Sequence, residues 1–139
     1  MKSTGELMKA LNKSKNINKY LNDNSDSFVN YNIKEFWEQA IKKSNMSKSN
    51  IINKSDFSYC YFYDVINGRK HPKRDKIIRL VMVMGLDLDD CQQALKMHEL
   101  PPLYPRVIRD SIIIYAINNK LGLYRLDEML NKKGEEPIS

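Results

Sequence analysis

Four side chains could hold a metal or pair as nucleophile and base: Cys60, His71, Cys91 and His98. Zinc ligands usually come in pairs roughly two to five residues apart, and neither Cys60 with His71 nor Cys91 with His98 has that spacing. Cys91 falls on the apolar side of its predicted helix, where a buried free thiol is common. No third group is placed to orient a Cys–His pair. The 5 glycines are scattered singly, so no loop is rich enough in glycine to cradle a phosphate. Phe36 and Trp37, and Met82, Met84 and Met97, sit at core spacing. The expectation is a protein with no metal, no cofactor and no catalysis. A polyanion partner fits the residues better. Lys and Arg number 23 against 17 Asp and Glu, a net charge of +6. Residues 41–80 alone carry 10 basic and 3 acidic side chains, net +7, between flanks of +1 and −2. Such a basic segment is an electrostatic footprint for nucleic acid; a solvated lysine-rich face is the alternative. Inside it, Tyr59, Cys60, Tyr61 and Tyr63 lie between Lys48 and the group Arg69, Lys70, Lys73 and Arg74.

These residues need helices to position them. Glycine and proline are scarce and no segment alternates with period two, so the chain reads as all-α. Residues 1–31 form an N-terminal arm in which Met8, Leu11, Ile17, Tyr20 and Leu21 hint at two short helices. Asn22 to Ser27 reads as a loop. The main body opens at Asn32, which can cap a helix with Glu35 completing a capping-box-like pair. Ile33, Phe36, Trp37, Ala40 and Ile41 then form one apolar stripe. Ser47 caps a second helix with Ile51 and Ile52 inward. Ser58 caps a third with Phe62, Val65 and Ile66 inward, ending at Asn67-Gly68. A fourth helix spans about Arg74 to Met84 and stops at Gly85. Asp87 caps a fifth, to about Met97, with Leu88, Cys91, Ala94 and Leu95 on one face. After the stiff connector Leu100 to Pro105, a sixth helix runs from about Val107 to Asn119. Its stretch Ile112 to Ile117 is apolar nearly all round, as in a helix buried on several sides or lying between subunits. Leu123, Leu126, Met129 and Leu130 mark a seventh, stopped by Gly134.

Met46 to Pro72 is the informative stretch. Two short helices, each capped by Ser, are joined by a tight turn around Asp56-Phe57, which is helix-turn-helix spacing. In such a motif the second helix must protrude into a major groove about 12 Å wide while the first braces it. Phe57 supplies an apolar plug for the turn.

On these residues the chain resembles the lambda-repressor-like, or XRE-family, helix-turn-helix regulators. The likeness rests on Ser47, Ile51, Phe57-Ser58, Phe62 and Val65, and on the exit Asn67-Gly68-Arg69-Lys70 with Pro72. Arg74-Asp75-Lys76 and Gly85-Leu86-Asp87-Leu88 extend it through the fifth helix, about residues 32–100. Leu103-Tyr104-Pro105-Arg106 with Arg109-Asp110 matches a subgroup of these regulators. The resemblance implies a five-helix DNA-binding domain over 32–100, with residues 101–139 as a C-terminal helical pair able to dimerise. It implies sequence-specific binding of double-stranded DNA and transcriptional control, with Lys48 on a phosphate at a helix N-terminus. The DNA-facing set is then Lys48, Ser58, Tyr59, Cys60, Tyr61, Tyr63, Arg69, Lys70, Lys73 and Arg74. The third helix departs from the family pattern, since it offers tyrosines and Asp64 where base readers usually stand. Tyrosine can hydrogen-bond phosphate and pack on thymine methyls, favouring AT-rich sites. Asp64 opposes phosphate unless it accepts from cytosine or pairs with a neighbouring Arg. A protein-interaction module or antitoxin-like partner built on the same scaffold is the second reading.

Length and composition set the outer bounds. At 139 residues, 42% hydrophobic and 29% charged, the chain can bury one core and an arm. No apolar run is long enough to span a membrane, and no apolar stretch follows the N-terminal residues as a signal peptide would require. Two cysteines without an export signal suggest free thiols and a cytoplasmic location. A homodimer is expected, with Ile112 to Ile117, Leu123, Leu126 and Leu130 as its contact.

Overall fold

In the computed structural model, residues 2–28 and 32–139 are described; among them are nine α-helices and no strand. The chain divides into two compact units, Met1–Tyr31 and Asn32–Ser139. The junction at residues 29–31, where the arm was expected to end, lies outside the described residues.

The first unit holds α1 (Thr4–Lys13) and α2 (Ile17–Asp23). Each starts where a side chain takes up an otherwise orphaned amide: Ser3 accepts from the Glu6 N–H at 3.2 Å and Asn16 from the Lys19 N–H at 3.2 Å. The expected loop from Asn22 is partly helical. Asn24 explains this, because its side-chain amide donates to the Tyr20 carbonyl at 2.8 Å and is buried there, followed by a single 3₁₀ turn, Ser25–Ser27. Neither helix buries a residue, and Met8, Leu11, Ile17, Leu21 and Phe28 are all exposed.

The second unit contains α3 (Ile33–Ser44), α4 (Lys48–Ser55), α5 (Tyr59–Ile66), α6 (Arg74–Met84), α7 (Leu88–Met97), α8 (Ile108–Asn118) and α9 (Leu123–Lys132). Asn32, Ser47, Ser58 and Asp87 each accept the amide three residues on, at 2.8–3.1 Å. α3 and α4 end on Asn45 and Asp56 in the left-handed region, a conformation short polar residues tolerate. Gly68 has φ +75°, so this exit from α5 calls for glycine, and it packs closely on the Ile33 side chain.

α6 is the central helix, packing against α3, α4, α7 and α9. Ile77, Ile78, Leu80 and Val81 are wholly buried on it. Arg79 is buried too, donating to the Ser55 carbonyl at 3.1 Å and the Ile138 carbonyl at 3.3 Å. It thereby ties the end of α4 to the C-terminal segment. Arg109 holds the same segment, reaching Asp75 through both Nη atoms (3.0 and 2.9 Å) and the Glu136 carbonyl through Nε (3.0 Å).

Residues 101–139 share one core with residues 32–100: Leu103, Ile113, Ala116, Ile117, Leu126, Leu130 and Ile138 all join it. This corrects the expected dimer contact. Ile113, Ile117, Leu126 and Leu130 are interior to their own chain, so they cannot form the surface first assigned to them. An all-apolar helix buries whichever flanks its neighbours cover, and here α7 and α9 cover α8.

Candidate nucleic-acid interface

The connection between α4 and α5 is three residues, Asp56-Phe57-Ser58. Asp56 turns the chain at φ 60°, Phe57 is buried as a plug, and Ser58 Oγ accepts from the Tyr61 N–H at 3.1 Å. Burial of Phe62, Val65 and Ile66 fixes which side of α5 faces inward. Tyr59 and Cys60 are then exposed, and Tyr61, Tyr63 and Asp64 half-buried. Tyr59 is 66% exposed, the most accessible aromatic ring of this region.

The tyrosines are interleaved with cations. The Tyr59 and Tyr63 rings lie 4.7 Å apart, with Lys48 Nζ 5.6 Å from the Tyr63 centroid. Tyr61 meets Phe57 edge to face at 5.1 Å, with Lys70 Nζ 6.0 Å from the Tyr61 ring and Lys76 Nζ 5.8 Å from the Phe57 ring. These separations are in the range of cation–π attraction. Hydrogen bonding to Tyr63 raises the Tyr59 phenol, and burial raises that of Tyr61. Both are therefore neutral hydroxyls at pH 7, able to donate and to accept.

The expected rim cations differ in availability. Lys70 and Lys73 are exposed and, among the described residues, have no carboxylate partner within ion-pair distance. Lys48 pairs with Glu38 at 3.2 Å, and Arg69 with Asp64 at 3.1 Å. The Arg69 pair takes up the one acid on α5. Arg74 differs from expectation. Its guanidinium donates to both carboxylate oxygens of Asp110 at 2.9 and 2.6 Å and to the Pro101 and Pro102 carbonyls at 3.0 and 2.8 Å. It is a half-buried cation already engaged in holding the fold, not a free phosphate contact. Lys76 and Glu38 belong to the neighbourhood but were not picked out from sequence. Lys76 had a usable signal, being two residues past Arg74 on the first turn of α6, whereas nothing local links Glu38 to Lys48.

The residues weighed for metal or nucleophilic chemistry are dispersed. Cys60 is exposed on α5 and His71 is exposed in the following loop. Cys91 is buried, and burial pushes its thiol up to about 12. His98 is buried against Trp37, whose Nε1–H donates to His98 Nε2 at 3.0 Å. No helix among the described residues is long and apolar enough to cross a membrane.

Compared with known protein families, curated proteins and solved structures, the chain matches none of them.

Proposed function

We propose that the α4–α5 face binds double-stranded DNA in the manner of a lambda-repressor-like helix-turn-helix domain, and that the protein is a sequence-specific transcriptional regulator. The observation that carries this reading is α5 itself. It is an eight-residue helix with its N-terminal tyrosine exposed, set after a three-residue turn and bordered by Lys48, Lys70 and Lys76, with Lys73 exposed at the N-cap of α6. With side chains an α-helix is about 10–12 Å across, which a major groove about 12 Å wide admits. Phosphate contacts from the lysines would orient the domain, and Tyr59, Cys60 and Tyr61 would meet base edges and thymine methyls. DNA shape would contribute to discrimination. A protein partner is the second reading, favoured by the tyrosine content of α5, since tyrosine is enriched at protein interfaces.

Charge substitutions test the proposal. Lys70→Ala and Lys73→Ala should each weaken binding to any duplex and flatten the salt dependence by about one unit. An unchanged slope in both, measured by fluorescence anisotropy over a salt series, would leave those lysines merely solvated.

The Lys48–Glu38 pair supplies an opposite-sign test. Glu38 neutralises a cation that phosphate would otherwise use, and its own charge repels the duplex. Glu38→Gln should therefore tighten binding roughly three- to tenfold at low salt, with the gain shrinking as salt rises. Equal affinity of wild type and variant at low salt would place Lys48 away from the duplex.

A further inference from the structure

Outside the α4–α5 face, the exposed large apolar residues of the second unit are Tyr104, Val107, Ile108, Tyr115 and Tyr124, and two of them lie on α8. Its stretch Ile112 to Ile117 is apolar nearly all round, but in that stretch its neighbours cover only the side bearing Ile113, Ala116 and Ile117. Ile108 remains 67% exposed and Tyr115 54%. With Pro105, Ile112 and Met129, Ile108 and Tyr115 line an open cleft of about 500 Å³. Its charged lining residues are Arg106 and Lys133, both exposed, and no carboxylate lines it.

We propose that this cleft is the docking groove for an amphipathic helix of a partner protein whose polar positions are acidic. An apolar floor between two elements is the shape that accepts anchors at i, i+3/i+4 and i+7 of a helix. The charge argument selects the occupant. A like face of a second copy would bring four basic side chains together across the two-fold, since Arg106 and Lys133 are present on each, and like charges across an interface are penalised. An acidic helix places its carboxylates against those cations while its apolar side covers Ile108, Ile112 and Tyr115. The groove is built from α8 and α9 and the connector before α8, and uses none of the side chains assigned to DNA.

The test uses the full chain and a displayed library of amphipathic helices. Apolar positions are varied among Leu, Ile, Phe and Met, and polar positions among Glu, Lys and Gln. The expected result is enrichment of Glu over Lys at polar positions. Binding of the selected peptide should fall at least about tenfold in Ile108→Ser and in Tyr115→Ser. Because both side chains are exposed, these variants should melt like the wild type. The double variant Arg106→Glu, Lys133→Glu should bind the Lys-bearing counterpart in preference. Four results would overturn the proposal: no enrichment, enrichment of Lys, a dimer in sedimentation that Ile108→Asp dissociates, or retention on anionic vesicles that Ile108→Ser abolishes. The second copy would be the occupant in the third case and a membrane surface in the fourth.

Discussion

Asp110→Ala should cost about 3 kcal/mol of folding stability, the lower end of the range for stripping one partner from a buried ion pair. The Asp110 side chain is 5% exposed and accepts three hydrogen bonds, two from Arg74 and one from the Tyr104 N–H at 3.0 Å. Burial alone would push its carboxyl up, but the Arg74 guanidinium and the Tyr104 amide outweigh burial and hold it below the usual carboxylate range. Without the carboxylate, the Arg74 charge is left against the Pro101 and Pro102 carbonyls with no counter-charge. The tie between the first turns of α6 and α8 is then lost, and the Tyr104 N–H loses its acceptor. Replacing both partners with apolar residues, as in Arg74→Met with Asp110→Leu, should restore most of the loss, because it removes the stranded charge. Urea unfolding followed by Trp37 fluorescence measures both. A cost below about 1 kcal/mol for Asp110→Ala would mean the pair is solvated and would return Arg74 to the list of cations free for DNA.

Acidification from neutral pH to pH 5 should already destabilise the fold. His98 Nε2 accepts the Trp37 indole hydrogen bond, so the ring must be neutral with its hydrogen on Nδ1. Burial, with a smaller contribution from the charge of His71, lowers its pKa from 6.5 to about 4. The unfolded chain therefore binds this proton more readily than the folded one. Stability from His98 is complete above pH 6.5 and is lost as pH falls toward about 4, by about 3 kcal/mol in all. About 2 kcal/mol of it should be gone by pH 5. His98→Gln, which keeps an acceptor for Trp37 but cannot titrate, should flatten that window. Asp110 acts lower, its contribution falling as pH drops below the ordinary carboxylate value of 3.8. Equal unfolding free energies at neutral pH and pH 5 in the wild type would contradict this account of His98.

These two contacts also mark where sequence reasoning stops. The caps at Asn32, Ser47, Ser58 and Asp87 are contacts between residues three apart, and the stripes on α3 and α5 are periodicities within one helix. Local physics suffices for both, and the helices fall close to where the pattern puts them. Arg74 and Asp110 are 36 residues apart, and Trp37 and His98 61. No local pattern pairs such residues, so Arg74 read as one more basic residue of a surface cluster. α8 failed for a different reason. Periodicity finds the covered face of a helix only when the other face is polar, and Ile112 to Ile117 gives no contrast by which to choose. Within the α4–α5 face the aromatic and basic residue types were legible, whereas the pairing of Lys48 with Glu38 and of Lys76 with Phe57 required the folded chain.

The proposed DNA-binding role is tested most directly by selecting duplexes from a random pool at two salt concentrations and repeating the selection with Tyr59→Ala. The account predicts an enriched AT-rich site at both concentrations. Affinity for that site should fall by about 1–3 kcal/mol in Tyr59→Ala while binding to unrelated duplex is nearly unchanged, since the lysine contacts remain. Absence of any enriched sequence at either concentration would contradict it and move α5 from reading DNA to holding a protein.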